Sequence, residues 1–301
     1  MKIGAIFPTC EIGDDPAFIR DWTQAAEALG YSHIVCYDHV VGAEHRDRTP
    51  PLMGPYTERD PFHEPFVVMA YMAALTTRIE LASGVLILPQ RQTVLVAKQA
   101  AELQLLSQGR FRMGVGTGWN HVEYDSLGED FASRGPRLTE QVDLLRHLWD
   151  EEVVDYTGDY HRVERAGLLP RPPSKIPIWF GGFNDLAFRR AARIGDGFIF
   201  GSWPKRMEKM LIRVQTMLEE YGRSQEDFGT EALVDFTGDP DSWTEAIAFW
   251  EKIGGTRIAL RAMDTAAEFA GEKFHGYKGP KSYIDALETF MNEVGSLNSP
   301  G

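Results

Sequence analysis

The feature that most constrains this chain is an alternation, repeated eight times over 301 residues: a short apolar run, a turn, then an amphipathic stretch. The first round sets the form. Lys2 to Phe7 reads as a strand, Asp15-Pro16 opens a helix and Gly30 closes it. Asp caps a helix through its side-chain oxygen, Pro is preset for the first helical turn, and Gly supplies the stop. Asp239-Pro240 and Gly254-Gly255 repeat the device near the far end. The remaining strands are predicted at His33 to Cys36, Ile79 to Leu88, Phe111 to Val115, Ile176 to Phe180, Gly197 to Phe200, Ala232 to Phe236 and Arg257 to Arg261. Pro65 to Thr76, Val94 to Leu106 and Asp185 to Arg193 read as helices. Buried helical stripes are predicted at Phe18, Trp22, Ala25 and Leu29; at Leu138, Val142, Leu145 and Trp149; at Met207, Leu211, Val214 and Leu218; and at Tyr283, Leu287, Phe290 and Val294.

Eight strand–helix units with no Pro/Ser/Gly linker predict an α/β chain forming one domain over residues 1–301, a single (β/α)8 TIM barrel. A doubly wound sheet would carry its phosphate loop after the first strand, where only Phe7-Pro8-Thr9 stands. Two interruptions break the rhythm. Val40 to Glu64 follows the second strand and is long enough for a lid, and Asp155 to Glu164, turning at Gly158-Asp159, reads as a hairpin inserted after the fourth helix. The net charge of −13, with no lysine- or arginine-rich run, argues against nucleic-acid and anionic-membrane partners. Cys10 and Cys36 form neither a disulfide framework nor a metal pair. With no apolar stretch of membrane-spanning length and a start that runs straight into a strand, a cytoplasmic location is expected.

In such a barrel, function gathers at the carboxyl ends of the strands. Those ends offer Asp38 and His39, several glycines and few other ionisable groups, which points to a bound cofactor carrying the chemistry. Asp38-His39 is either an acid/base pair or a turn cap; no other histidine shows metal-ligand spacing. Ser83-Gly84-Val85, a glycine inside an apolar strand, is either a structural bulge or a seat for a planar ring. Gly114-Val115-Gly116-Thr117-Gly118-Trp119-Asn120 lets backbone pass close to something flat or anionic, or simply makes a tight turn. Gly181-Gly182-Phe183-Asn184-Asp185 leads into a helix whose free N–H groups suit phosphate, provided Asp185 points away. Trp119, Trp203, Phe236 and Phe7 are the expected apolar walls, and Arg261 is open between an anion site and a structural ion pair.

These segments, in this order, resemble the luciferase-like monooxygenase superfamily of flavin- and deazaflavin-dependent barrels. The resemblance is carried by Tyr37-Asp38-His39, Leu88-Pro89-Gln90-Arg91, Ala97-Lys98-Gln99-Ala100-Ala101, Ser107-Gln108-Gly109-Arg110-Phe111, the glycine run at 114–120, Ile178-Trp179-Phe180-Gly181-Gly182, Arg189-Arg190-Ala191-Ala192 and Gly195-Asp196-Gly197. FMN-using members carry an arginine after the second glycine of the central motif. Here Thr117 stands there, as in coenzyme F420-dependent members.

The resemblance implies an F420-dependent oxidoreductase that moves a hydride between the deazaflavin C5 and a small organic substrate. A reduced-FMN monooxygenase or a non-catalytic flavin-binding barrel is the alternative. It further implies His39, with Asp38, as the catalytic pair. Ser83, Gly84 and Val85 become a bulge with a non-proline cis peptide behind the ring. Gly116, Thr117, Gly118 and Asn120 line the cofactor, Gly181, Gly182 and Phe183 take its phosphate, and the chain forms a homodimer. Arg46, Arg48, Arg91 and Lys98 are candidates for a basic strip along the polyglutamyl tail. Two departures stand out: Gln92-Thr93 where the family often has His-Pro, expected to alter the site wall, and Gln104 where it often has Asp, expected to be structural.

Overall fold

The chain opens with β1 (Lys2–Ile6), α1 (Pro16–Ala28), β2 (His33–Cys36), α2 (Pro65–Leu75), β3 (Glu80–Ser83) and β4 (Leu86–Ile87). It continues with α3 (Thr93–Leu106), β5 (Phe111–Gly116), α4 (His121–Ser126), α5 (Arg134–Asp150), β6 (Val154–Thr157), β7 (Arg162–Ala166), β8 (Ile178–Gly181) and α6 (Asp185–Ile194). Then come β9 (Gly197–Ile199), α7 (Pro204–Glu220), β10 (Gly229–Asp235), α8 (Pro240–Lys252), β11 (Arg257–Arg261), α9 (Ala267–Ala270) and α10 (Pro280–Val294). The structure is a computed structural model that describes residues 1–265 and 267–298.

Parallel pairing runs β3-β2-β1-β11-β10-β9-β8-β5, and β5 pairs back onto β3, so eight strands close a (β/α)8 barrel. The inserted hairpin is β6 with β7, antiparallel. Both Asp-Pro starts work as the sequence requires. Asp15 accepts from the Ala17 amide, and Asp239 forms a reciprocal capping box with Ser242.

Three local expectations need correction. The buried face of α1 is Ile19, Trp22, Thr23 and Ala26, while Phe18 lies exposed. Two overlapping stripes share Trp22, and the contact of its ring with Phe7, centroids 5.4 Å apart, fixes which one faces the barrel. Phe7 is thus fully buried on the outer side of β1 and is no wall of the mouth. The third strand does not run unbroken from Ile79 to Leu88: the non-proline cis peptide expected at the bulge falls at Gly84–Val85 and divides β3 from β4, and a single 3-10 turn at Leu88–Gln90 follows. The short polar helix α4 was not foreseen at all.

Inward positions along the strands stack in layers. At the amino-terminal end lies a buried charge cluster. The Arg112 guanidinium, 1% exposed, reaches Glu80 at 2.6 Å and Glu231 at 2.7 Å, and Arg257 reaches Glu80 at 2.9 Å. Both arginines lie over the Trp179 ring, at 4.2 and 5.2 Å. Burial pushes the Glu80 carboxyl up, but the two arginines outweigh it and hold it at about 2. Above this lies an apolar layer that includes Ile6, Val35, Ala82, Leu233 and Ala259, roofed by Cys10, Met263, Tyr37, Tyr56 and Phe62. The barrel interior is therefore filled below the carboxyl ends of its strands.

Candidate active site at the carboxyl ends of the strands

His39 stands just past β2, nearly buried at the barrel mouth. Tyr56 and Phe62 from the lid and Trp119 from beyond β5 meet its ring edge to face, at 5.3, 4.9 and 5.6 Å. Its Nδ1 lies 3.0 Å from Glu123 Oε2. An ionised carboxylate only accepts, so Nδ1 carries the proton and Nε2 is left without a protein partner among the described residues. Glu123, 1% exposed, also accepts from the amides of Val40 and Val41 through Oε1. Three donors thus converge on one buried carboxylate, which fixes both the ring and the start of the lid.

Sequence reasoning assigned the carboxylate partner to Asp38, and the structure assigns it to Glu123. Asp38 is committed elsewhere: Oδ2 accepts from the Ile87 amide at 2.8 Å and Oδ1 from Arg91 Nη2 at 2.6 Å. It anchors β4 just beyond the bulge. Glu123 went unnoticed because it lies 84 residues from His39, on the helix that was not foreseen. The signal was present in Asn120, whose side chain caps α4 by accepting from the Val122 and Glu123 amides. Asn120 is 3% exposed and its Nδ2 reaches Val41 O, so its amide orders Glu123 and the lid.

The alternating glycines have a concrete partner. A Cβ on Gly114 would sit 2.0 Å from Ser83 O, one on Gly116 2.5 Å from Val85 Cγ2, and one on Gly118 2.8 Å from Ile87 Cγ2. Residues 114, 116 and 118 are thus bare so that the bulged strand at 83, 85 and 87 can lie against them. Gly181 does the same for Val85 from the other side, at 2.9 Å. The Val85 isopropyl group fills the space where side chains of residues 116 and 181 would be, so those strand ends carry backbone only. Thr117 is half-buried beside them, and its carbonyl accepts from the Tyr124 hydroxyl at 2.8 Å.

At the next strand end, Gly182 has φ 147° and Phe183 is 68% exposed, its ring over Gly201. Asn184 caps α6 at the Ala187 amide, and Asp185 is drawn off to Arg213 of α7. The α6 terminus is therefore free of the carboxylate that would repel an anion.

The expected basic strip does not assemble. Arg91 is tied to Asp38 and, at 3.1 Å, to Glu64; Arg46 bonds Glu44; Arg48 bonds the Glu44 carbonyl; and Lys98 donates to the Leu169 carbonyl at 2.6 Å. The lid is braced internally, with His45 Nε2 at 2.9 Å from the Tyr56 carbonyl oxygen. Thr93 faces the hairpin, with its hydroxyl 2.6 Å from His161 Nε2, so the departure at Gln92-Thr93 lies outside the mouth. Gln104 is structural as expected: it links α3 to the Phe111 amide, the Ser174 hydroxyl and the Lys175 carbonyl. No helix among the described residues is long and apolar enough to cross a membrane.

The sequence model of the luciferase-like monooxygenase family matches residues 1–281. The chain belongs to that family. One relative in it, an F420-dependent glucose-6-phosphate dehydrogenase of Intrasporangium calvum, is 31% identical over 255 residues, covering 80% of this chain and 72% of its own. Two solved structures share the fold over 99% of both chains. They are the coenzyme F420 dependent tetrahydromethanopterin reductase of Methanopyrus kandleri, with a TM-score of 0.75 at 17% identity, and the monooxygenase RslO1 of Streptomyces bottropensis, with 0.77 at 19%.

Proposed function

We propose that the protein is a coenzyme F420-dependent oxidoreductase acting on a small organic substrate. The observation that carries the proposal is His39, held by Glu123 with Nε2 unpartnered at the mouth, in a barrel whose strand ends at Gly116 and Gly181 carry no side chains around Val85. A flat ring needs such a surface, and side chains at residues 116 and 181 would collide with Val85 rather than leave it level. The kinship with an F420-dependent dehydrogenase supports the cofactor, as does Thr117 in place of a phosphate-binding arginine.

Ser83, Gly84, Val85, Gly116, Thr117 and Gly118 would hold the ring. Gly181, Gly182 and Phe183 would receive the phosphate at the α6 terminus, where backbone N–H groups and the helix dipole favour an anion. The chemistry supplied by a deazaflavin held there would be hydride transfer to or from the substrate. His39 Nε2 would take or return the accompanying substrate proton, and Glu123 would stabilise the imidazolium that forms. Tyr56, Phe62 and Trp119 would keep water from the imidazole.

Replacing His39 by Ala tests this reading. Turnover should fall by about 100-fold or more, the usual scale for a lost general acid/base, with F420 affinity nearly unchanged. An unaltered rate would remove His39 from the mechanism.

A further inference from the structure

Above the apolar layer of the barrel interior sits a polar set with no part in the proton chemistry. Inward positions recur every second residue along a strand. Val35, Leu233 and Ala259 belong to the apolar layer, so Tyr37, Asp235 and Arg261, two residues further on, form the next layer toward the mouth. The strand register sets Asp235 against Arg261, and Arg261 Nε donates to Asp235 Oδ1 at 2.5 Å. Asp235 Oδ2 is shut off from solvent and has no partner, and the residue is 4% exposed. The terminal nitrogens of Arg261 and the Tyr37 hydroxyl also lack partners among the described residues. Burial pushes that hydroxyl up to about 12, so it stays a neutral donor. A buried carboxylate oxygen without a donor marks a place where a donor is missing.

We propose that Arg261, Asp235 and Tyr37 seat an uncharged hydroxyl or amide of the substrate, remote from the reacting carbon, and reject phosphate and carboxylate groups. This rests on reading the mouth as the substrate side of the oxidoreductase. Donor and acceptor matching decides the class. Asp235 Oδ2 needs a donor, while Arg261 and Tyr37 need an acceptor. A hydroxyl or an amide supplies both; an ionised carboxylate or phosphate supplies only acceptors. Charge agrees, because the one cation is already balanced by Asp235. A groove of about 640 Å³ is lined by Glu11, Asp60, Asp264, Phe269 and Phe274 among others, with no lysine, arginine or histidine among the described residues that line it. The sugar phosphate in the name of the Intrasporangium calvum relative has the wrong charge for this seat.

The test is ligand-observed NMR with four probes of one size: benzyl alcohol, benzamide, benzoate and phenyl phosphate. Wild-type protein should bind the two neutral probes at least tenfold more tightly than the two anions. Asp235→Asn unmasks Arg261, and benzoate should then gain at least fivefold over benzyl alcohol. The wild-type ranking needs no variant, so misfolding of Asp235→Asn would not rescue the proposal. It is overturned if an anion binds wild type as well as the neutral probes, if a folded Asp235→Asn leaves the ranking unchanged, or if no probe binds. A fluorescence titration with F420 on the same samples separates the two claims. The stated ranking without F420 binding refutes the cofactor reading alone; F420 binding with anions preferred refutes the seat alone.

Discussion

Replacing Glu123 by Gln perturbs the site at its least visible point. Three donors converge on this carboxylate: the Val40 and Val41 amides and His39 Nδ1. A hydrogen bond to a charged acceptor contributes about 1.5–3 kcal/mol and a neutral one about 0.5–1.5. Each of the three bonds should therefore weaken by about 1 kcal/mol, giving a loss of about 3 kcal/mol. At about 2–4 °C per kcal/mol, the melting temperature should drop by about 6–12 °C. The chemistry shifts too. The new amide NH2 can donate to Nδ1, which moves the imidazole proton to Nε2 and leaves the ring unable to accept there. Calorimetry reads the first effect, and long-range ¹⁵N NMR of the His39 ring reads the second. An unchanged melting temperature together with the wild-type tautomer would refute the claim that Glu123 orients His39.

Other outcomes follow from the same geometry. Gly116→Ala should cost about 1–3 kcal/mol by overpacking against Val85, and the Gly116→Ala, Val85→Ala double variant should recover part of that loss in chemical denaturation; strict additivity would contradict the contact. Asn120→Ala should cost about 1 kcal/mol as a lost helix cap, with faster amide exchange at Val40 and Val41 as the specific sign. The Glu80 carboxyl lies at about 2 in the folded protein against an ordinary 4.5, so its stabilisation is fully present above pH 4.5 and is lost as pH falls toward 2. Glu231, held lower still because Arg112 and His33 outweigh its burial, acts in the same direction. Melting temperature should therefore decline steeply over that acid window. Glu231→Gln, which leaves Arg112 and Arg257 to share the one carboxylate of Glu80, should cost about 3 kcal/mol at pH 7 and flatten the acid decline.

The barrel was legible because it rests on local signals. Asp15-Pro16 with Gly30 and Asp239-Pro240 with Gly254 punctuate helices, and an apolar run of strand length needs little else. Of the candidate site, the sequence reveals what one residue's chemistry suggests, the bulge at Gly84 and an ionisable ring at His39 past the second strand. Glu123 could not be paired with His39 from the sequence, because closure of the barrel, not chain proximity, brings the two together. The glycine run was read for what it might cradle. Its positions are set by Ser83, Val85 and Ile87, a register relation that spacing within one segment cannot reveal. Arg46 and Arg91 read as part of an anion strip because charge is visible in sequence and its neutralisation by Glu44, Asp38 and Glu64 is not.

The central claim is tested most directly by titrating the purified protein with F420 and, separately, with FMN, following fluorescence quenching. Micromolar binding of F420 without binding of FMN is the predicted result. Binding of FMN alone would contradict it.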